Sequence, residues 1–208
     1  MEDSKSNDYL EQFFLDCGFA TRALHAGEHV GQPESCAHTN AIYQSSTFVF
    51  DSAEHGAEIF AGDRPGYVYT RMGNPTVMVL EAKMNALEGG DVKLADPETR
   101  ISSLAFASGM SAISSTLMAL CNAGDTLLLG DVVYGATEDL AQKILPRFDI
   151  RVVSVNTADL NAVEDALKKN PKAKAILFET PTNPTLSVSD IPAIAKLAKA
   201  VNPEIKVA

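Results

Sequence analysis

The chain has 208 residues, of which 46% are hydrophobic and 21% charged, and its formal net charge is −10. A soluble chain of this size buries roughly 70% of its unfolded surface, enough for a hydrophobic core. The acidic balance argues against nucleic acid or an anionic membrane as partner, so any anionic ligand must be held by local groups.

Residues 1 to about 65 lack sustained periodicity and read as an arm with short helical pieces, such as Ser52 to Phe60. The opening MEDSKSNDYL is acidic and polar, unlike a signal or transit peptide. Cys17, Cys36 and Cys121 form no CxxC and leave an odd count, which suits a reducing compartment, here the cytoplasm. His25-Ala-Gly-Glu-His29 has the spacing of a zinc-hydrolase helix, but Gly27 weakens the helix that this chemistry needs. No metal site is expected; Cys36 and His38 supply no fourth ligand at a standard spacing.

Next comes Tyr67-Val-Tyr-Thr-Arg-Met-Gly-Asn-Pro-Thr76. Tyr69 and Arg71 lie two apart, so an extended segment would project them to one side as a clamp for a phosphate or carboxylate. Asn74-Pro75 reads as an N-cap followed by proline at the first helical position. Val77, Leu80, Met84 and Leu87 mark one helix face, and Gly89-Gly90 ends it.

From there strands alternate with helices. Ser103 to Phe106 reads as a buried strand, followed by a turn and a helix to about Asn122. Thr126–Leu129, Arg151–Val155, Ala173–Glu179 and Ile205–Ala208 read as further strands. Between them lie helices over Thr137–Leu145, stopped by Pro146, over Asp159–Lys169 and over Asp190–Val201. The uncharged run Ile101–Cys121 has the length of a membrane span but is too rich in serine for one. The alternation predicts parallel βαβ units in a three-layer α/β/α sandwich, with ligands at the carboxyl ends of the strands.

The candidate chemistry falls at those ends. Ser108-Gly109-Met110 opens a helix after a strand and offers free N–H groups to an anion, or is a plain turn. Tyr134 lies in a glycine-flanked loop, where it would stack on a flat ring, exchange protons, or simply pack. Asn183, between Pro181 and Pro184, would offer its amide to a ring oxygen or close an Asx turn. No GxGxxG, GxSxG or P-loop occurs.

Taken in order, Tyr67–Thr76, Ser108–Met110, Tyr134-Gly-Ala-Thr137 and Glu179-Thr-Pro-Thr-Asn-Pro184 resemble the Cys/Met-metabolism, or trans-sulfuration, family of pyridoxal-phosphate enzymes. The resemblance covers about residues 19 to 208. It implies the aspartate-aminotransferase type of sandwich (fold type I), with an arm over 1–65 and the first part of the cofactor domain over 66–208. The implied cofactor is pyridoxal 5'-phosphate. Tyr69 and Arg71 would hold the phosphate of a neighbouring subunit, while Ser108, Gly109 and Met110 seat the phosphate of their own. Tyr134 would stack on the pyridine ring and assist proton transfer, and Asn183 would meet its 3-oxygen.

The implied activity is β,γ-elimination or γ-replacement on sulfur amino acids, as in cystathionine or methionine γ-lyase. Transfer of the O-acetylhomoserine sulfhydrylase or cystathionine γ-synthase type is the alternative, and the implied assembly is a dimer within a tetramer. Phe60-Ala-Gly62 looks more lyase-like, and Val49 to His55 more like the sulfhydrylase branch. Ala136 departs from the cysteine typical of methionine γ-lyases, and Val92 to Arg100 looks like an extra loop. The family's lysine that binds the cofactor as a Schiff base matches no position here; Lys196, Lys199 and Lys206 lie in the wrong elements. The expectation is an N-terminal half that alone lacks catalysis and, failing an enzyme, a silent oligomerisation or binding piece.

Overall fold

A computed structural model describes residues 13–28, 39–90 and 101–208. The chain divides into two compact units, Met1–Ala105 and Phe106–Ala208. In the first lie helices α1 (Phe19–His25), α2 (Ala53–Ala61) and α3 (Pro75–Gly89). The second holds α4 (Gly109–Leu120), β1 (Thr126–Gly130), α5 (Gly135–Asp139), β2 (Arg151–Val155), α6 (Leu160–Lys169), β3 (Ala175–Leu177), α7 (Ile191–Val201) and β4 (Lys206–Val207).

The four strands form one parallel sheet in the order β2-β1-β3-β4, with Leu128 opposite Val153 on one side and Ile176 on the other. Successive side chains on a strand face opposite ways, and the core is sorted accordingly. Leu127, Leu129 and Ala175 join Leu117 of α4 and Ala141 in one buried cluster. Leu128 and Ile176 join Val163 and Leu167 of α6 with Ile194 and Ala198 of α7 in the other. Helices therefore cover both faces, and the predicted three-layer α/β/α arrangement is present. Strands buried on both faces read as continuous apolar runs, as Leu127-Leu128-Leu129 does.

Side-chain caps fix the helix starts in both units. Asp159 accepts from the Asn161 N–H at 2.9 Å, Asp190 from Ala193 at 2.9 Å, and Ser52 from His55 at 3.1 Å. Asn74 is buried: its Oδ1 accepts from Thr76 N–H at 2.9 Å, and its Nδ2 donates to Tyr43 O and Thr70 Oγ1, both at 3.0 Å. Arg22 of α1 is also buried and donates from Nη1 to Ala86 O of α3 at 3.2 Å.

Four expectations change. Residues 103–106 are not a strand: Leu104 and Phe106 are exposed and none of the described residues forms a ladder with them, and a strand exists only through its neighbour. The helix after Tyr134 does not stop at Pro146. It widens into a π turn over Leu140–Ile144, then tightens into a 3₁₀ turn over Leu145–Phe148. Pro146 sits in the first turn of that last piece, where no backbone N–H is needed. The strand expected over Ala173–Glu179 is confined to Ala175–Leu177. In α3, Val77, Leu80 and Met84 stay at the surface, and the buried residues are Pro75, Ala86 and Gly89. The loop expected at 92–100 lies outside the described residues. No helix among the described residues is long and apolar enough to cross a membrane.

Candidate functional site

In the second unit the carboxyl ends of the parallel strands gather most of the predicted residues. At the end of β1, a Cβ on Gly130 would lie 3.1 Å from Phe178 Cβ and 3.4 Å from its Cα, so the backbones of β1 and β3 part only beyond this point. The Asp131 N–H then donates to Val155 O of β2 at 2.9 Å. Val133 turns inward and is buried, and Tyr134 follows as the N-cap residue of α5 with its ring half exposed. The Tyr134 N–H donates to Glu179 Oε1 at 2.9 Å, across 45 residues of sequence.

Next to this loop lies the start of α4. Ser108 Oγ accepts from Ser111 N–H at 3.1 Å, and the first intrahelical bond runs from Ala112 N–H to Ser108 O. The N–H groups of Gly109 and Met110 precede that bond and carry the positive end of the helix dipole. Among the described residues no neighbouring atom comes within 4 Å of a Cβ built on Gly109, so an anion has room to approach. The buried Thr137 of α5 donates from Oγ1 to Met110 Sδ at 3.7 Å, which ties the two helix starts together.

After β3 the loop 178–190 folds on its own hydroxyl groups. Thr182 Oγ1 accepts from Ser187 N–H at 2.9 Å, and Thr180 Oγ1 from Ser189 N–H at 3.0 Å. The buried Ser189 donates to Thr157 Oγ1, just past β2, at 2.9 Å. Asn183 is exposed on this loop. The structure thus brings the open Gly109 and Met110 amides beside the loop of the half-exposed Tyr134, while the Asn183 side chain stands exposed on the loop after β3.

Tyr69 and Arg71 belong to the first unit. They do not lie on an extended strand as expected: after a bridge between Thr47 and Tyr69 the chain turns, and Tyr69 O accepts from the Met72 and Gly73 N–H groups at 2.8 and 3.1 Å. The turn still joins the pair, with the Arg71 guanidinium carbon 5.1 Å from the Tyr69 ring centroid. They line an open cleft of about 470 Å³ with residues 43–46 and Thr70. The segment 43–48 is fastened beside them by Thr70 N–H to Ser46 O at 2.9 Å and by Tyr43 N–H to Thr76 Oγ1 at 2.9 Å. Burial, and then Tyr43, raises the pKa of the neighbouring Tyr67 phenol.

The zinc pattern resolves differently. His29, Cys36 and His38 lie outside the described residues, and His25 Nδ1 pairs with Glu28 Oε2 at 3.1 Å. Among the described residues no group of three His, Cys, Asp or Glu could hold a metal. Sequence reasoning missed Glu179 and Thr137. Both stand inside quoted motifs, yet their partners, a backbone N–H and a thioether, leave no trace in residue spacing.

The family model for Cys/Met metabolism PLP-dependent enzymes matches residues 20–208. An L-methionine gamma-lyase of Pseudomonas putida is 41% identical over 182 residues, 88% of this chain and 42% of that protein. An O-acetyl-L-homoserine sulfhydrylase of Corynebacterium glutamicum is 40% identical over 182 residues, 87% of this chain and 39% of that one. A putative O-acetylhomoserine (thiol)-lyase of Campylobacter jejuni, solved with a pyridoxyl-lysine phosphate, superposes with a TM-score of 0.75 at 28% identity. It is matched over 92% of this chain and 42% of that one, so the chain spans under half the length of each of these proteins. Four motifs in order, a parallel sandwich and these matches agree: the chain belongs to the Cys/Met-metabolism family of pyridoxal-phosphate-dependent enzymes.

Proposed function

We propose that the whole protein carries out pyridoxal-phosphate-dependent β,γ-elimination or γ-replacement on sulfur amino acids, in the manner of a methionine or cystathionine γ-lyase. The observation that carries this reading is the open Gly109 and Met110 amide pair beside the half-exposed Tyr134 at one end of a parallel sheet. Ser108, Gly109 and Met110 seat the phosphate, a dianion matched to free N–H groups and a helix dipole. The Tyr134 ring covers one face of the pyridine, and its hydroxyl gives or takes a proton at the substrate's leaving group. Asn183 orients the ring through its 3-oxygen. Bound pyridoxal phosphate supplies the electron sink that lets protons leave the substrate's carbons.

Residues 1–65 act as an arm on a partner subunit, and 66–208 as the first part of the cofactor domain. Tyr69 and Arg71 reach the phosphate of that neighbour, in a dimer within a tetramer, and the protein works in the cytoplasm. The exposed Tyr69–Arg71 cleft and the unpaired thiols of Cys17 and Cys121 support these assignments.

A transferase of the sulfhydrylase type is the second reading, favoured by a sulfhydrylase relative nearly as similar as the lyase and by Ala136. The test is borohydride reduction of the full-length protein followed by intact mass, with thiol release from methionine and cystathionine assayed beside it. A lysine-linked pyridoxyl adduct with thiol release is expected. An adduct with replacement but no elimination selects the second reading. A full-length chain without adduct sinks both and leaves a silent binding piece.

A further inference from the structure

We propose that Glu179 is a positioning residue: by accepting the Tyr134 backbone N–H it sets the height of the Tyr134 ring over the cofactor. The inference rests on the cofactor reading above. A half-exposed aromatic ring is held by little packing of its own, so its place is decided by the backbone that carries it. Among the described residues the Tyr134 carbonyl bonds only within its own helix start, to the Thr137 and Glu138 N–H groups at 2.8 and 3.0 Å. The Tyr134 N–H instead crosses to another strand's end and meets Glu179 Oε1 at 2.9 Å.

The surrounding geometry makes this link a fixed one. Gly130 lets β1 lie against Phe178, the residue before Glu179, which brings the carboxylate under the Tyr134 turn. Asp131 is bound to β2 by its N–H, so the three residues 131–133 span a short bridge between two anchored points. Beyond Tyr134, the buried Thr137 fixes the helix against Met110. Glu179 is thus the one group among the described residues that ties the Tyr134 residue itself to β3. A carboxylate accepting from an N–H at a helix start is also favoured by the local dipole. Without it, the turn 131–134 can shift, and a catalytic ring misplaced by about 1 Å can lose up to about a hundredfold in rate.

The experiment uses the full-length holoenzyme with three substitutions: Glu179→Ala, Glu179→Gln, which keeps the reach and an acceptor oxygen without charge, and Glu179→Asp, which keeps the charge but falls a methylene short. Visible circular dichroism of the bound cofactor reports the stacking of the ring, and kcat and KM are measured separately. Glu179→Ala and Glu179→Asp should change the dichroic band and lower kcat about tenfold or more, while Glu179→Gln stays within about twofold of wild type in both. If Glu179→Ala does not fold, the other two decide: Gln near wild type with Asp impaired upholds the inference, and any other order overturns it. An unchanged dichroic band in the Ala variant, with cofactor present in wild type, overturns this inference alone. A wild-type protein with no cofactor band overturns the cofactor reading and this inference together.

Discussion

The two units are built by different means. In the second, Leu117 and the apolar side chains from Cys121 to Ile205 form two buried clusters, one on each face of the sheet. In the first, the described buried hydrophobic residues are Ala26 and Ala86, and order is kept by Asn74, Thr70, Thr76 and Arg22 through hydrogen bonds. Burial of apolar area grows with the area covered, whereas a hydrogen bond exchanged with water nets only about 0.5–1.5 kcal/mol. The second unit is therefore a scaffold that stands on its core, and the first is a set of hydrogen-bonded helices with the Tyr69–Arg71 pair at the surface.

The largest effect that separates them is expected at Leu128, fully buried on the middle of the sheet. Leu128→Ala should cost about 2–5 kcal/mol through lost burial and a residual cavity, read by urea denaturation of the full-length protein. A loss below that range would mean that the core relaxes and the contrast between units is weaker than drawn. Arg71→Ala tests what the first unit displays. Cofactor retention in the full-length protein should weaken by about 1.5–3 kcal/mol, the worth of a charge-assisted contact, with stability to urea nearly unchanged. Unaltered affinity would remove Arg71 from the phosphate. The smallest effect belongs to Asn74→Ala, about 0.5–2 kcal/mol for a lost cap, showing as faster amide exchange at the start of α3 while β1 keeps its protection. Exchange that rises equally in both units would show them to be one cooperative body.

Much of the second unit was legible in the sequence because its periodicities are set by burial on two faces. Asp159 and Asp190 announced their helices, and the apolar run at 127–129 announced a central strand. What failed shares a cause. Residues 103–106 needed a neighbouring strand, and Pro146 needed a fresh helical turn to sit in; both are decided by partners and not by the residue itself. The candidate site was legible as residue types after apolar runs, since Ser108 to Met110, Tyr134 and Asn183 each follow one, although the run before Ser108 is not a strand. Its wiring was not. The Tyr134–Glu179 bond joins a backbone group to a side chain, and backbone donors are the same at every position. The Tyr69–Arg71 pair was recognised by type, while its geometry came from a turn that alternation alone does not reveal.

The packing of Arg22 on the end of α3 depends on the glycine beside it. A Cβ at Gly90 would fall 1.1 Å from Arg22 Nη1 and 2.2 Å from the guanidinium carbon, so no side chain at position 90 can coexist with this arginine as placed. A side chain at 90 would push the guanidinium off the Ala86 carbonyl, so the glycine that follows α3 is what lets α1 anchor to that helix's last turn.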